Sequence, residues 1–293
     1  MSQTLLVTGA AGKLGRLVVA ELLSKGGNRL IAGSRDPSKL ADLAAKGAET
    51  ARVDFDDEAS LDAAFAGVDR LLLISTDAVG EPGLRLRQHE KAVNAAAKAG
   101  VKHIVYTSMP KPEPGSAIVF AADHYGTEQA IEASRLAYTI LRVSWYQENF
   151  LMSLPNVLAS GQWFTAAGEG KVSHIARADV AKAAVAALAS TATASATYNL
   201  TSDEALSTDE IAKLASDVFG KPIQVTHVSD EALKAGLMQH GVPEFMAGFI
   251  VCFDTNTRLG GVTPPTGDFA KLTGAKPRSL KTYFETHAAD YLK

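Results

Sequence analysis

The chain has 293 residues, 46% hydrophobic and 21% charged, with a formal net charge of −3. That is enough for one large or two moderate domains with a full core, and too acidic for a broad nucleic-acid surface. Its single cysteine, Cys252, excludes an internal disulfide and suits a reducing cytoplasm. Cys252 lies in the apolar run Phe249-Ile250-Val251-Cys252-Phe253, where a packed structural thiol is expected rather than a nucleophile. No apolar run approaches the roughly 20 residues that span a bilayer. Met1 leads straight into a strand-like segment, so neither a leader peptide nor a membrane anchor is expected.

In chain order, Thr4-Leu5-Leu6-Val7-Thr8 reads as a buried strand. Gly9-Ala10-Ala11-Gly12-Lys13-Leu14-Gly15 follows, then Leu17, Val18, Val19, Leu22 and Leu23 at helical spacing, then a second strand, Leu30-Ile31-Ala32-Gly33. Strand, glycine loop, helix, strand is the context that a dinucleotide fingerprint requires. Gly9 turns the chain off the strand, Gly12 admits a pyrophosphate, and Gly15 lets helix and sheet pack closely. Ala11, Lys13 and Leu14 complete a helix N-terminus whose free N–H groups face phosphate.

An NAD-preferring site carries Asp or Glu at the end of the second strand. Here that place reads Gly33-Ser34-Arg35-Asp36-Pro37-Ser38-Lys39. Arg35 is expected to fork onto a 2′-phosphate, with Lys39 as a second cation and Asp36 as an N-cap before Pro37. The cofactor expected is therefore NADPH, with NADH weaker.

Glu49 to Val53 makes a third strand ending in Asp54-Phe55-Asp56. Asp54 either bonds the adenine amino group or caps the helix carrying Ala59, Leu61 and Phe65, and Phe55 packs beside the adenine. Asp69 to Thr76 is the fourth strand, a continuous apolar run of the kind buried on both faces, with Ser75 and Thr76 placed beside ribose and pyrophosphate. A helix from about Arg87 to Ala99, a fifth strand from Val101 to Ser108 and a sixth from Ala137 to Val143 complete the alternation. These predict an α/β fold with a doubly wound parallel Rossmann sheet and ligands at its carboxyl edge.

That edge holds Thr107-Ser108-Met109-Pro110 and Ser144-Trp145-Tyr146-Gln147-Glu148-Asn149-Phe150. Thr107, Ser108 and Trp145 are expected on the cofactor. Met109, Tyr146, Phe150 and Phe249 are expected to wall an aromatic substrate, with Tyr146 and Asn149 beside the reacting atoms. The other reading of Trp145 and Phe150 is that they anchor a second lobe. Residues 1–150, with 176–203 returning to them, are expected to form the nucleotide domain. Residues 151–175 and 204–293 are expected to form a smaller C-terminal α/β substrate lobe. Within these, Ile175 to Val180 opens an alanine-rich helix, Thr197 to Leu200 is a strand, and Ser207-Thr208-Asp209-Glu210 starts an amphipathic helix.

Ser108 and Tyr125 occupy plausible dehydrogenase places, yet position 129 is Gln and no Lys lies between Ala121 and Ser134. Without that cation Tyr125 stays a weak acid, which disfavours alcohol oxidation at neutral pH. Reduction of an easily reduced acceptor asks only for positioning and a proton, which His124 or Tyr125 can donate. The alternative for His124 is a helix-start histidine bonded to backbone. The 7 histidines are scattered without metal-ligand spacing, so no metal site is expected. No G-x-S-x-G elbow occurs.

The glycine loop, Arg35-Asp36-Pro37, Ala99-Gly100-Val101-Lys102-His103-Ile104, His124-x-x-Thr127-Glu128, Trp145-Tyr146-x-Glu148-Asn149 and Arg177-Ala178-Asp179 occur in one order along the chain. In this the chain resembles the NmrA-like, atypical short-chain dehydrogenases, and most of all their bacterial NAD(P)H:quinone oxidoreductases, with triphenylmethane dye reductases next. The resemblance implies hydride transfer from NADPH to a quinone without flavin or metal, by a monomer or homodimer. Isoflavone-reductase-like members place a catalytic Lys on the helix after the fifth strand, and this chain has none there. A non-catalytic NADP-binding sensor is the rival reading, and a reductase of dyes or activated alkenes the third.

Overall fold

The computed structural model describes residues 2–292, so Met1 and Lys293, the outer ends of the two expected domains, lie outside the described residues. Seven strands form one parallel sheet in the order β3-β2-β1-β4-β5-β6-β8. They are β1 (Thr4–Val7), β2 (Arg29–Ser34), β3 (Glu49–Arg52), β4 (Arg70–Leu73), β5 (His103–Ser108), β6 (Ala137–Val143) and β8 (Ala196–Leu200). Between them run α1 (Lys13–Lys25), α2 (Ala41–Ala44), α3 (Glu58–Phe65), α4 (Leu84–Lys98), α5 (Ala121–Ala133), α6 (Leu154–Ser160) and α7 (Arg177–Leu188).

The central strands are buried on both sides because their side chains alternate between two cores. Leu5, Val7, Leu72 and Val105 pack under α1 and α7, while Leu6, Leu71, Leu73, Ile104 and Tyr106 pack under α3, α4 and α5. The strand order reverses at β1, between β2 and β4, which opens a crevice at the carboxyl edge.

The remaining elements supply a third core and two smaller clusters, and the helix carrying Phe269 packs back against the first core. β7 (Gln162–Thr165) and β9 (Gln224–His227) pair in parallel as a separate two-stranded sheet. With them stand α8 (Thr208–Phe219), α9 (Asp230–Gln239), α10 (Glu244–Arg258), α11 (Asp268–Thr273), α12 (Leu280–Thr286) and α13 (Ala288–Tyr291). Ser207 and Glu210 cap α8 reciprocally, and Ile211, Ala215 and Phe219 pack against Leu280, Tyr283 and Phe284.

Two expectations are corrected here. Phe150 belongs to this third core, with ring centroids 4.6 Å from His174 and 5.5 Å from Phe284, so it anchors rather than lines a pocket. Asp57, not Asp54, caps α3 by accepting from the Ser60 amide. Asp54 instead pairs with Arg52 at 2.8 Å.

Candidate functional site

The chain leaves β1 at Gly9, whose φ of +60° turns the backbone under the sheet edge. Gly12 N–H then bonds Gly9 carbonyl at 2.9 Å and α1 begins. At Gly15 the helix lies against the loop so closely that a Cβ would stand 2.3 Å from Gly9 carbonyl oxygen. Beyond this turn lies a cleft of ≈ 330 Å³, lined by Gly9, Ala11, Gly12, Arg35, Asp54, Phe55, Ser75 and Thr76. These were all expected there. Ser34, Val53, Ile74, Asp77, Ala78 and Gln88 also line it and were not anticipated. Gln88 sits on α4, where its only sequence signal was a polar residue on an otherwise packed face; its amide reaches Asp56 at 2.9 Å.

The wall formed by residues 74–76 is held from behind by three side chains. Thr8 Oγ1 accepts from Ile74 N–H at 3.0 Å, Thr107 Oγ1 from Ser75 N–H at 2.9 Å, and His89 Nε2 from Thr76 N–H at 3.0 Å. Thr107 is thus a buttress behind the cleft rather than a lining residue, which corrects its expected place. Arg35 lines the cleft one residue past β2, is exposed, and makes no ion pair among the described residues. Arg16, by contrast, is committed to Asp42 at 2.8 Å.

Several expected cofactor residues stand elsewhere. Leu14 and Gly15 are buried beneath the loop, Lys13 is exposed at the first turn of α1, and none of them lines the cleft. Lys39 is exposed, 4.0 Å from Asp36, whose carboxylate accepts from Ser38 N–H as expected of an N-cap. Ser108 is corrected outright. It is buried and donates to Glu128 at 2.6 Å, while Glu128 takes both arms of Arg142. A hydroxyl spent on a paired carboxylate has no free donor for a ligand.

A second cluster covers the ends of β5 and β6. Met109 packs with Phe120, Trp145, Cys252 and Phe253. Ring centroids are 4.9 Å apart for Trp145 and Phe253, 5.9 Å for Phe120 and Phe249, and 5.3 Å for Phe249 and Phe253. Trp145 therefore belongs to an aromatic wall that α10 contributes to, not to the nucleotide cleft, and its buried Nε1 has no partner among the described residues. Cys252 is half-buried, donates to Phe249 carbonyl, and has its thiol pKa raised by burial, as a packed thiol should.

Tyr146, half-buried, lies under Arg177, whose guanidinium carbon is 4.7 Å from its ring centre. Burial pushes its hydroxyl up to about 12 despite Arg177, so it is protonated at neutral pH. Glu148 and Gln147 tie this segment down: Glu148 accepts from Arg177 N–H at 3.0 Å, and Gln147 donates to the carbonyls of His174 and Arg278. Asn149 follows, its N–H on Tyr146 carbonyl at 3.1 Å. Tyr125 is half-buried on α5.

His124 does not fit the role of proton donor. It is 4% exposed, with Nδ1 2.8 Å from Tyr106 hydroxyl and Nε2 3.1 Å from Arg85. Burial and then the Arg85 charge hold its pKa well below the ordinary value, so it is a neutral imidazole at neutral pH and not the acidic imidazolium that role requires.

His124 is one of four such histidines. Burial lowers His89 to about 3, His103 to about 4 and His174 to about 4. Each folded pKa lies below the unfolded value of about 6.5, so the unfolded chain binds more protons below neutrality. Their contribution to stability is whole above about pH 6.5 and is lost as pH falls towards 4. Thermal midpoints should therefore drop steeply between pH 7 and 4.5, and His103→Gln should flatten that slope. An unchanged slope would show that these imidazoles already accept protons in the folded state.

A glycine loop at the switch point of a doubly wound sheet, with an arginine on the cleft just past β2, defines a nucleotide-binding α/β protein. The chain belongs to the NmrA-like family, whose model matches residues 1–284. It is 35% identical to quinone oxidoreductase 2 of Escherichia coli (strain K12), over 94% of this chain and 95% of that one. The structure of the Escherichia coli NADPH-dependent quinone oxidoreductase complexed with NADPH superposes with a TM-score of 0.90 at 34% identity, covering 97% of this chain and 99% of that one. That of Citrobacter sp. triphenylmethane reductase complexed with NADP(H) gives 0.89 at 36%, covering 96% and 99%.

Proposed function

We propose that this protein is an NADPH-dependent oxidoreductase that delivers a hydride to a quinone or similar aromatic acceptor. The observation that carries the reading is Arg35, exposed on the glycine-loop cleft just past β2 and without an ion pair among the described residues. The residues there fit the nucleotide. Gly12 leaves the loop open to a pyrophosphate, and the buried Thr76 hydroxyl oxygen has no partner among the described residues. NADPH, when bound, supplies the hydride. Arg35 binds the 2′-phosphate, Asp54 and Phe55 receive the adenine, and Ser75 and Thr76 border the ribose.

Trp145 and Phe249 wall the acceptor, Met109 lies buried beneath Trp145 rather than on the pocket surface as expected, and Tyr146 and Asn149 stand at the strand end beside it. These apolar walls hold an aromatic ring and exclude water, which supplies most of the acceleration an easily reduced acceptor needs. The smaller unit, residues 151–175 and 204–293, closes over the cofactor, while 176–203 return to the sheet. Among the described residues no helix is long and apolar enough to cross a membrane, and the proposed compartment is the cytoplasm.

The test is NADPH oxidation by purified protein with 1,4-benzoquinone, blanked against the uncatalysed reaction, with NADH in parallel. Turnover above the blank and faster with NADPH is expected. Tight NADPH binding with no turnover on quinone, dye or activated alkene would instead mark a sensor. Arg35→Ala should weaken NADPH by about 1.5–3 kcal/mol, the worth of a charge-assisted bond, and leave NADH nearly unchanged. Equal loss for both would refute the 2′-phosphate assignment.

A further inference from the structure

Arg85, in the first turn of α4, is 6% exposed and has no ion pair among the described residues. Asp77, in the loop before α4, and Asp123, on α5, face it from beyond ion-pair distance, and neighbouring Arg87 is bonded to Glu81. The buried Nε of Arg85 has no partner among the described residues. Its NH1 lies 3.1 Å from His124 Nε2. A guanidinium only donates, so that nitrogen is bare and His124 donates from Nδ1 to Tyr106. Likewise Thr76 N–H makes His89 Nε2 an acceptor, leaving Nδ1–H to donate to Thr127 at 2.9 Å. Both imidazoles are neutral, so the charge in this buried group is that of Arg85.

A lone buried cation costs several kcal/mol unless something compensates it. Arg85 stands 5.0 Å from the ring centre of Phe120, and Phe120 is 5.9 Å from Phe249 and 6.2 Å from Phe253. The guanidinium thus lies directly behind the aromatic wall, where a low dielectric lets its field reach through.

We propose that Arg85 determines acceptor specificity, stabilising the negative charge that an acceptor oxygen gains on hydride transfer and disfavouring acceptors that start as cations. The inference rests on the reductase reading and names its substrate class. A quinone that takes a hydride, with both its electrons, becomes the monoanion of the hydroquinone, which water then protonates. A triarylmethane cation that takes a hydride becomes a neutral leuco compound. Arg85 favours the first course and opposes the second.

The experiment measures kcat/KM for 1,4-benzoquinone and for crystal violet, at saturating NADPH, in the wild type, Arg85→Lys and Arg85→Met. Arg85→Met should lower the quinone value by roughly 10- to 100-fold and leave the dye value unchanged or raised, and Arg85→Lys should restore most of the quinone rate. A merely structural role would lower both together, and that result, or no change in either, overturns the inference while leaving the reductase standing. A wild type that reduces neither acceptor removes the reductase reading, and the inference with it. In parallel, 4-nitrophenol titrated on the wild type with NADPH present should ionise at lower pH than in water, read from its phenolate absorbance. An absent or upward shift overturns the proposal even if Arg85→Met fails to fold.

Discussion

Replacing Gly15 with alanine is expected to raise the Kd for NADPH at least tenfold and to destabilise the fold by about 3 kcal/mol, the upper range for overpacking a core. The added Cβ would meet Gly9 carbonyl oxygen at 2.3 Å, Ala10 Cα at 2.7 Å and Gly9 carbonyl carbon at 2.8 Å. All three are backbone atoms, so no rotamer change relieves the clash, and α1 must withdraw from β1. Leu14, Val18 and Leu22 would lose packing against the core under α7 as it does so. The glycine loop would also move, and with it the floor of the cleft. Calorimetric titration with NADPH and a thermal melt check both parts. An alanine variant with unchanged Kd and midpoint would show that the helix-to-loop approach is not what shapes the phosphate site. At Gly12 the same addition meets Gly9 carbonyl at 3.2 Å, so Gly12→Ala should cost less stability while still narrowing the cleft.

The second large effect is expected at Arg70, whose role lies in folding alone. It opens β4 ahead of Leu71-Leu72-Leu73 and is 4% exposed. Its Nε donates to Leu188 carbonyl at 2.9 Å, NH1 to Ala192 carbonyl at 3.0 Å and NH2 to Ala187 carbonyl at 3.0 Å. These carbonyls belong to the last turn of α7 and the segment just beyond it, where a helix has no acceptor-satisfying groups of its own and a partial negative charge. Arg70 therefore joins the central strand to the C-terminus of a helix more than 100 residues away and satisfies both. Arg70→Met keeps the length and removes every donor, which should cost about 3–5 kcal/mol and lower the thermal midpoint by roughly 10 °C. Arg70→Lys should recover only part, because one ammonium cannot fork across three carbonyls. NADPH affinity measured well below the midpoint should be unaltered in both. A midpoint within about 1 °C of wild type would mean that water serves the α7 carbonyls equally well.

Much of the nucleotide end was legible because its signals are local. A glycine needed at positive φ, a cation one residue past a strand and an N-cap before a proline each declare themselves within a few positions. Gly9, Arg35 and Asp36 stand accordingly. The apolar run of β4 likewise announced a strand buried on both faces, since such a strand has no polar side to show.

The acceptor end was less legible, because a side chain's partner there is distant in the chain. Ser108 looked like a free hydroxyl until α5 and β6 brought Glu128 and Arg142 to it, 20 and 34 positions on. Thr107 and His89 serve as buttresses only because β4 ends between them. His124 kept the appearance of an acid until Arg85, 39 residues earlier, was seen to occupy its acceptor nitrogen. Phe150 and Trp145 are both aromatic and separated by five positions, yet one faces the third core and the other faces α10.

Periodicity and turn chemistry are properties of neighbouring residues, so the sequence by itself determined the parallel sheet, the glycine loop and the arginine one residue past β2. Which hydroxyls, imidazoles and rings stay free for a ligand depends on what long-range packing has already claimed. Only the tertiary structure decided that.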